Sequence, residues 1–333
     1  MTATALTTPA STAERPMQYL PVALFGSVMG LTGLSVGWRL AHARFGLPEA
    51  ISQVLAAGAV TAFVALVAAY GVKAICAPDA VRAEFQHPVG GHMFGLFIAS
   101  LLLLPILLAP LSLAVARAVW GLGALSMAAF LLLVLDRWLG GTRQQREHAT
   151  PAWLVPAVGL VDVPLAAPAL HLPLQLHGVL VLCWAVGLFL SVPLIAIVVS
   201  RLMFEAPMPA ALQPTLLILL APAAVGASSY AALTGGRLDL VAQSLCGIAL
   251  FLLVAFVLRL RSAWRAPFKT TWWATSFPLA ACANASLQVA ATVESPVADG
   301  LAILLLGFTS LVIAVLLFQS LRGLAQGRLR DIV

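Results

Sequence analysis

Charge is what this sequence has least of. Of its 333 residues only 9% are Asp, Glu, Lys or Arg, against roughly a quarter in soluble domains. So few charges exclude a cytosolic enzyme, a nucleic-acid binder and a disordered tail protein. Cysteine is scarce too: Cys76, Cys183, Cys246 and Cys282 are scattered without a CxxC pair and read as apolar packing residues, not disulfides or metal ligands. No HExxH or GxxxxGK[ST] string occurs, so a metalloprotease or an ATPase has no positive support and the chain is not expected to be an enzyme.

What fills the space is apolar. Hydrophobic residues make up 62% of the chain and the mean hydropathy is +1.02. A span needs about 20 such residues, so the length holds about ten spans and leaves no room for a sizeable soluble domain. Apolar stretches recur at 19–40, 51–74, 89–110, 113–136, 151–168, 175–200, 212–233, 238–258, 271–292 and 298–321. A polar tail, 1–18, precedes this 19–322 membrane domain and a second, 323–333, follows it; the first tail lacks the short apolar core and cleavage site of a signal peptide, so the first span is expected to be retained.

Ten spans put both termini on one side, and basic residues choose the side. Arg39, Arg44, Arg117 and Arg237 fall on the far side; the other 14 of the 18 Lys and Arg share the side of the termini. By the positive-inside rule both termini are cytoplasmic, in a plasma (inner) membrane. Seven acidic residues share the inner side with those 14 bases, whereas five face four bases outside, so an inner vestibule would attract anions, although the same arginines also serve to orient the helices.

Proline adds an independent pattern. Odd spans contain Pro21, Pro105, Pro156, Pro222 and Pro278, while among even spans only the sixth has one well inside, Pro193. A proline frees a backbone carbonyl, which lipid does not tolerate but a protein-lined or wet interior does. The expected fold is an all-α integral membrane protein of ten transmembrane helices, arranged as five helical hairpins around a central pore, each pairing a broken inner helix with a straighter outer one. Prolines are also commoner in membrane helices generally, which is the plainer reading.

Ionisable residues inside the spans are nearly absent, and Asp162 is the exception. Eleven residues after Pro151, it reaches the outer mouth if Pro164 and Pro168 end the helix early, and lies at depth if they do not. The mouth is the expectation. His92 and His177 are the only histidines placed to act as intramembrane ligands, and their spacing matches no metal or haem motif. No cofactor or metal is expected, and a membrane redox protein is a remote alternative.

Several segments, taken in order, resemble the tellurite-resistance/dicarboxylate transporter family, whose plant members are slow-type anion channels: LFGSVMGLTGLSVGWR at 24–39, EFQHPVGGHMF at 84–94, PAWLVPAVG at 151–159, LQPTLLILLAPAAVG at 212–226 and WWATSFPLAACANA at 272–285. The resemblance implies a ten-helix protomer with its own pore and a homotrimer. It also implies a pore gate at Phe277 with Gly26 facing the ring. Phe277 precedes Pro278, which pushes its backbone away from helical geometry, and a glycine leaves room for a ring. Val28 stands where family members can carry a proline. The function expected is an anion channel for small inorganic or organic anions and oxyanions, linked by resemblance to tellurite resistance. The alternative is a proton-coupled secondary transporter, exporting C4-dicarboxylates or toxic oxyanions, with Asp162 as the coupling residue.

Overall fold

The computed structural model describes residues 17–140, 144–260, 268–293 and 295–328, with Arg330. Glu14, Arg15, Arg143, Arg261, Trp264, Arg265, Glu294 and Asp331, and with them most of the expected N-terminal tail, lie outside the described residues. Every regular element among the described residues is helical. The main helices are α1 (Phe25–Phe45), α2 (Glu49–Cys76), α3 (Pro78–Gln86), α4 (Gly90–Leu108), α5 (Leu113–Gly140), α6 (Pro151–Leu170), α7 (Leu174–Phe204), α8 (Ala210–Leu233), α9 (Leu240–Leu260), α10 (Ser276–Val293) and α11 (Pro296–Ala325). Local chemistry sets the ends: Gly46, at φ 69°, closes α1 with its N–H on the His42 carbonyl, and Pro78 and Pro296 open α3 and α11, where a missing N–H costs nothing.

Among the described residues, eight segments are long and apolar enough to cross a membrane: α2, α4, α5, α6, α7, α8, α9 and α11. The helices α1 and α10 are comparable rods whose interiors carry small and polar residues, among them Gly30, Thr32 and Ser35 in α1 and Asn284, Ser286 and Gln288 in α10. Such residues let backbones approach closely and hydrogen-bond across helices in lipid.

Burial divides the rods into two sets. The apolar windows of α4, α6 and α8 are 72%, 78% and 83% buried, whereas those of α2, α5, α7, α9 and α11 are between 11% and 33% buried. Nearly all the exposed large side chains, such as Val54, Leu125, Phe189, Phe251 and Phe318, belong to the second set. An apolar surface of that extent suits hydrocarbon, not water. Each buried rod packs on the exposed rod that follows it, with α3 lying between the first pair and the second. The buried rods also touch one another in a closed circuit, α1 on α4, α4 on α6, α6 on α8, α8 on α10 and α10 back on α1.

One buried ionic cluster fixes where that circuit begins. Lys73, near the end of α2 and 3% exposed, donates to the Leu20 carbonyl and to Glu84 Oε2, each at 2.6 Å. Glu84, on α3, also accepts from the Tyr70 hydroxyl and from the Val22 backbone N–H at 2.7 Å. The carboxylate thereby satisfies an N–H at the start of the first inner rod, and the ammonium keeps it from being a lone buried charge. The turn at Ala77 folds α3 back on α2 and makes Lys73 and Glu84 one pair.

Candidate functional site: a narrow passage inside the helix circuit

All five buried rods start the same way. Short 3-10 stretches, Val22–Leu24, Gly90–Met93, Pro151–Leu154, Ala210–Leu220 and Thr270–Thr275, widen into α-helix at Phe25, Phe94, Val155, Ala221 and Ser276. The prolines sit mostly at these junctions. Pro156 and Pro222 are second residues of their α-helical parts, Pro278 is the third of α10, and Pro21 precedes its 3-10 turn. This corrects the expectation that they break helices at mid-course: in a first turn the missing N–H has no partner to lose. Of these five prolines, Pro105 is the one that interrupts a rod, between Phe94–Leu103 and Pro105–Leu108. Pro193 lies inside an unbroken helix.

Two cavities lie within the circuit. The larger, a vestibule of about 1030 Å³, is lined among others by Thr32, Gly33, Arg44, His177, Asn284 and Phe277. The smaller is a chamber of about 30 Å³ lined by Gly26, Asp162, Ile218, Trp273, Phe277 and Pro278, among others, with space for about one water or two. Phe277 lines both. Its side chain is 8% exposed, so the ring is buried where the two cavities meet.

A second glycine, besides the one the resemblance points to, bears on that ring. A methyl built on Gly33 would meet Phe277 Cδ2 at 3.5 Å, whereas one on Gly26 would meet the Trp273 carbonyl oxygen at 3.5 Å and Leu96 at 3.8 Å. Gly26 shares the chamber with Phe277; Gly33 bears on its edge. The signal for Gly33 was present as small residues every three or four positions, Gly26, Gly30, Gly33 and Gly37, along one face of α1. Hydrogen bonds tie that face to α10: Ser276 Oγ donates to the Gly26 carbonyl at 3.2 Å, and Asn284 Nδ2 donates to the Gly33 carbonyl at 3.0 Å.

Asp162 is at depth, which corrects the expected mouth position. Pro164 and Pro168 do not end the rod, because a 3-10 turn, Val163–Ala166, and a final α turn, Ala167–Leu170, carry it on. Both prolines occupy first-turn positions, where they are tolerated. Asp162 is fully buried, and neither carboxyl oxygen has a hydrogen-bond partner. The backbone around it is held, by Ser229 Oγ on the Val161 carbonyl and Trp120 Nε1 on the Val163 carbonyl. The side chain is not.

The histidine pair of the redox alternative is not brought together. His177 lines the vestibule and His92 a different cavity against α5, so they form no shared ligand set. Among the described residues no three His, Cys, Asp or Glu cluster as metal ligands. Gly33 to Gly37 has the spacing of a serine-hydrolase GxSxG string, but Ser35 is buried within α1 and donates to the Ser52 carbonyl, a packing role.

Comparison with known proteins agrees over most of the chain. Residues 19–321 match the family model described as SLAC1, voltage-dependent anion channel. The tellurite resistance protein TehA homolog of Haemophilus influenzae is 27% identical over 93% of this chain and 92% of its own length. The S-type anion channel SLAH3 of Arabidopsis thaliana is 26% identical over 90% of this chain and 48% of its own. An uncharacterized transporter of Methanocaldococcus jannaschii is 28% identical over 61% of this chain. The matched chain spans 65% of that archaeal transporter and about half of the plant channel.

Proposed function

The chain belongs to the SLAC1, voltage-dependent anion channel, family, and from that premise we propose that it is an anion channel of ten membrane spans whose path is closed at Phe277. The spans are α1, α2 and α4 to α11, paired as five hairpins with both termini cytoplasmic. The path runs inside the circuit α1, α4, α6, α8, α10, one path per protomer of a homotrimer. One observation carries the reading: a single aromatic side chain lines both the vestibule and the chamber beneath it. An apolar ring in a narrow passage excludes ions by size and by dewetting. The passage offers few charges, so it favours anions that shed water cheaply, small inorganic and organic anions and oxyanions; a link to tellurite resistance follows from the Haemophilus relative's name. Reversal potentials of purified protein in planar bilayers under ion substitution test this. Selectivity for anions over cations is expected, and cation selectivity would contradict it.

A second reading rests on Asp162. A carboxyl at depth, in the same chamber as Phe277 and without a protein partner, is placed as a proton-coupling group of a secondary transporter for C4-dicarboxylates or toxic oxyanions would be. Uptake driven by a pH gradient in proteoliposomes, at zero membrane potential, would favour it.

A further inference from the structure

Outside the helix circuit, the turn leading into α4 and the end of α5 enclose a third cavity of about 490 Å³. Arg137, His87, His92 and His148 line it together with Gln144 and Gln145, and among the described residues its lining holds no aspartate or glutamate. Arg137, in the last turn of α5, is half-buried; its Nη1 donates to the Phe85 carbonyl at 3.1 Å and its guanidinium lies 4.3 Å from the Phe85 ring centre. These contacts fix the plane of the guanidinium but use one of its five N–H groups, and no carboxylate pairs with it among the described residues. The Nδ1 of His87 accepts the backbone N–H groups of Val89 and Gly90 at 3.2 and 3.0 Å, which leaves Nε2 as the ring's donor. The floor is aromatic: the His92 ring lies 5.5 Å from that of Trp138 and 5.8 Å from that of Trp153. His92 itself is 8% exposed, and its Nδ1 has no partner.

We propose that this cavity binds a phosphate-bearing anion, either free or carried on a phospholipid headgroup; that it opens to the cytoplasm rests on the topology proposed above. A planar guanidinium, imidazoles and the Gln145 amide line it, without an opposing carboxylate among the described residues. That composition suits a polyoxygen anion, which takes several charge-assisted hydrogen bonds at once, better than a halide, for which the space is far too large. Because His92 belongs to the 3-10 start of α4 and Arg137 to the end of α5, the bound anion would tie an outer rod to the beginning of an inner one.

Titration of the full chain in phosphatidylcholine nanodiscs with inorganic phosphate, at constant ionic strength and with chloride as the control, tests this by calorimetry. Saturable binding of phosphate and none of chloride is expected, weakened about tenfold or more by Arg137→Gln and measurably by His148→Ala. Should Arg137→Gln misfold through loss of its Phe85 contact, the rim variants His148→Ala and His87→Ala, which remove no packing contact with Phe85, carry the test. Repeating the titration with phosphatidylglycerol separates the sources: competition that abolishes phosphate binding identifies a headgroup, and undiminished binding a soluble ligand. Absence of saturable phosphate binding in phosphatidylcholine, or binding that folded variants leave unchanged, overturns the proposal.

Discussion

At the scale of the residue, the proposed passage depends on two side chains, Phe277 and Asp162, and one absence. Gly26 contributes the absence. A methyl there meets nothing closer than 3.5 Å, so the position is not empty for lack of room, and larger groups would extend into the chamber it lines. Gly26→Val is therefore expected to fold normally and to reduce the current of a Phe277→Ala channel, a non-additive effect seen in a double-mutant recording. Asp162 separates the two functional readings. For a channel, Asp162→Asn leaves transport present and independent of a proton gradient, with at most modestly higher flux from removing an anion-repelling group; for a coupled carrier the same change abolishes pH-driven uptake, and flux assays in proteoliposomes distinguish them. The depth of Asp162 was not legible in the sequence, because Pro164 and Pro168 read as helix ends unless each falls in a first turn, which only three-dimensional structure reveals. Phe277 was legible only by resemblance, being one of 15 phenylalanines.

Among elements, α1 packs closely on α10. A methyl on Gly30 would overlap the Ser276 side chain, including its Cβ, whereas one on Gly26 touches its neighbours at ordinary distances. Gly30→Ala is thus expected to destabilise the protein by about 1–3 kcal/mol through overpacking, and Gly26→Ala to be nearly neutral, as read from thermal unfolding in detergent. The start of the first inner rod depends on a different contact. Glu84→Gln leaves Lys73 buried without its counter-charge and costs about 3 kcal/mol or more; Lys73→Met together with Glu84→Gln should recover part of that loss. The alternation of inner and outer rods was readable from proline positions, since a first-turn proline and a mid-helix proline leave the same mark in a sequence. What could not be read was their role, which is to mark the passage from 3-10 to α-helix rather than a kink, and that depends on hydrogen bonds not encoded in the proline itself.

For the whole molecule, the charge asymmetry and the ten apolar runs make one statement about sidedness. Reporters fused after Asp331 or within 139–150 are expected to be cytoplasmic and one at Ser295 external; a cytoplasmic signal at Ser295 would remove the ten-span topology. Lipid provides no hydrophobic drive for association, so the proposed trimer needs its own evidence: cross-linking in native membranes should reach three protomers and stop. The central claim, that each protomer holds an anion path closed by one aromatic ring, is met most directly by single-channel recording of Phe277→Ala beside the parent in planar bilayers. The truncation leaves the Pro278 junction in place and opens the vestibule onto the chamber, so anion conductance should rise strongly. If the ring were only core packing, its loss would leave a cavity costing about 3–5 kcal/mol and no current. A folded, normally abundant Phe277→Ala protein no more conductive than the parent would contradict the account.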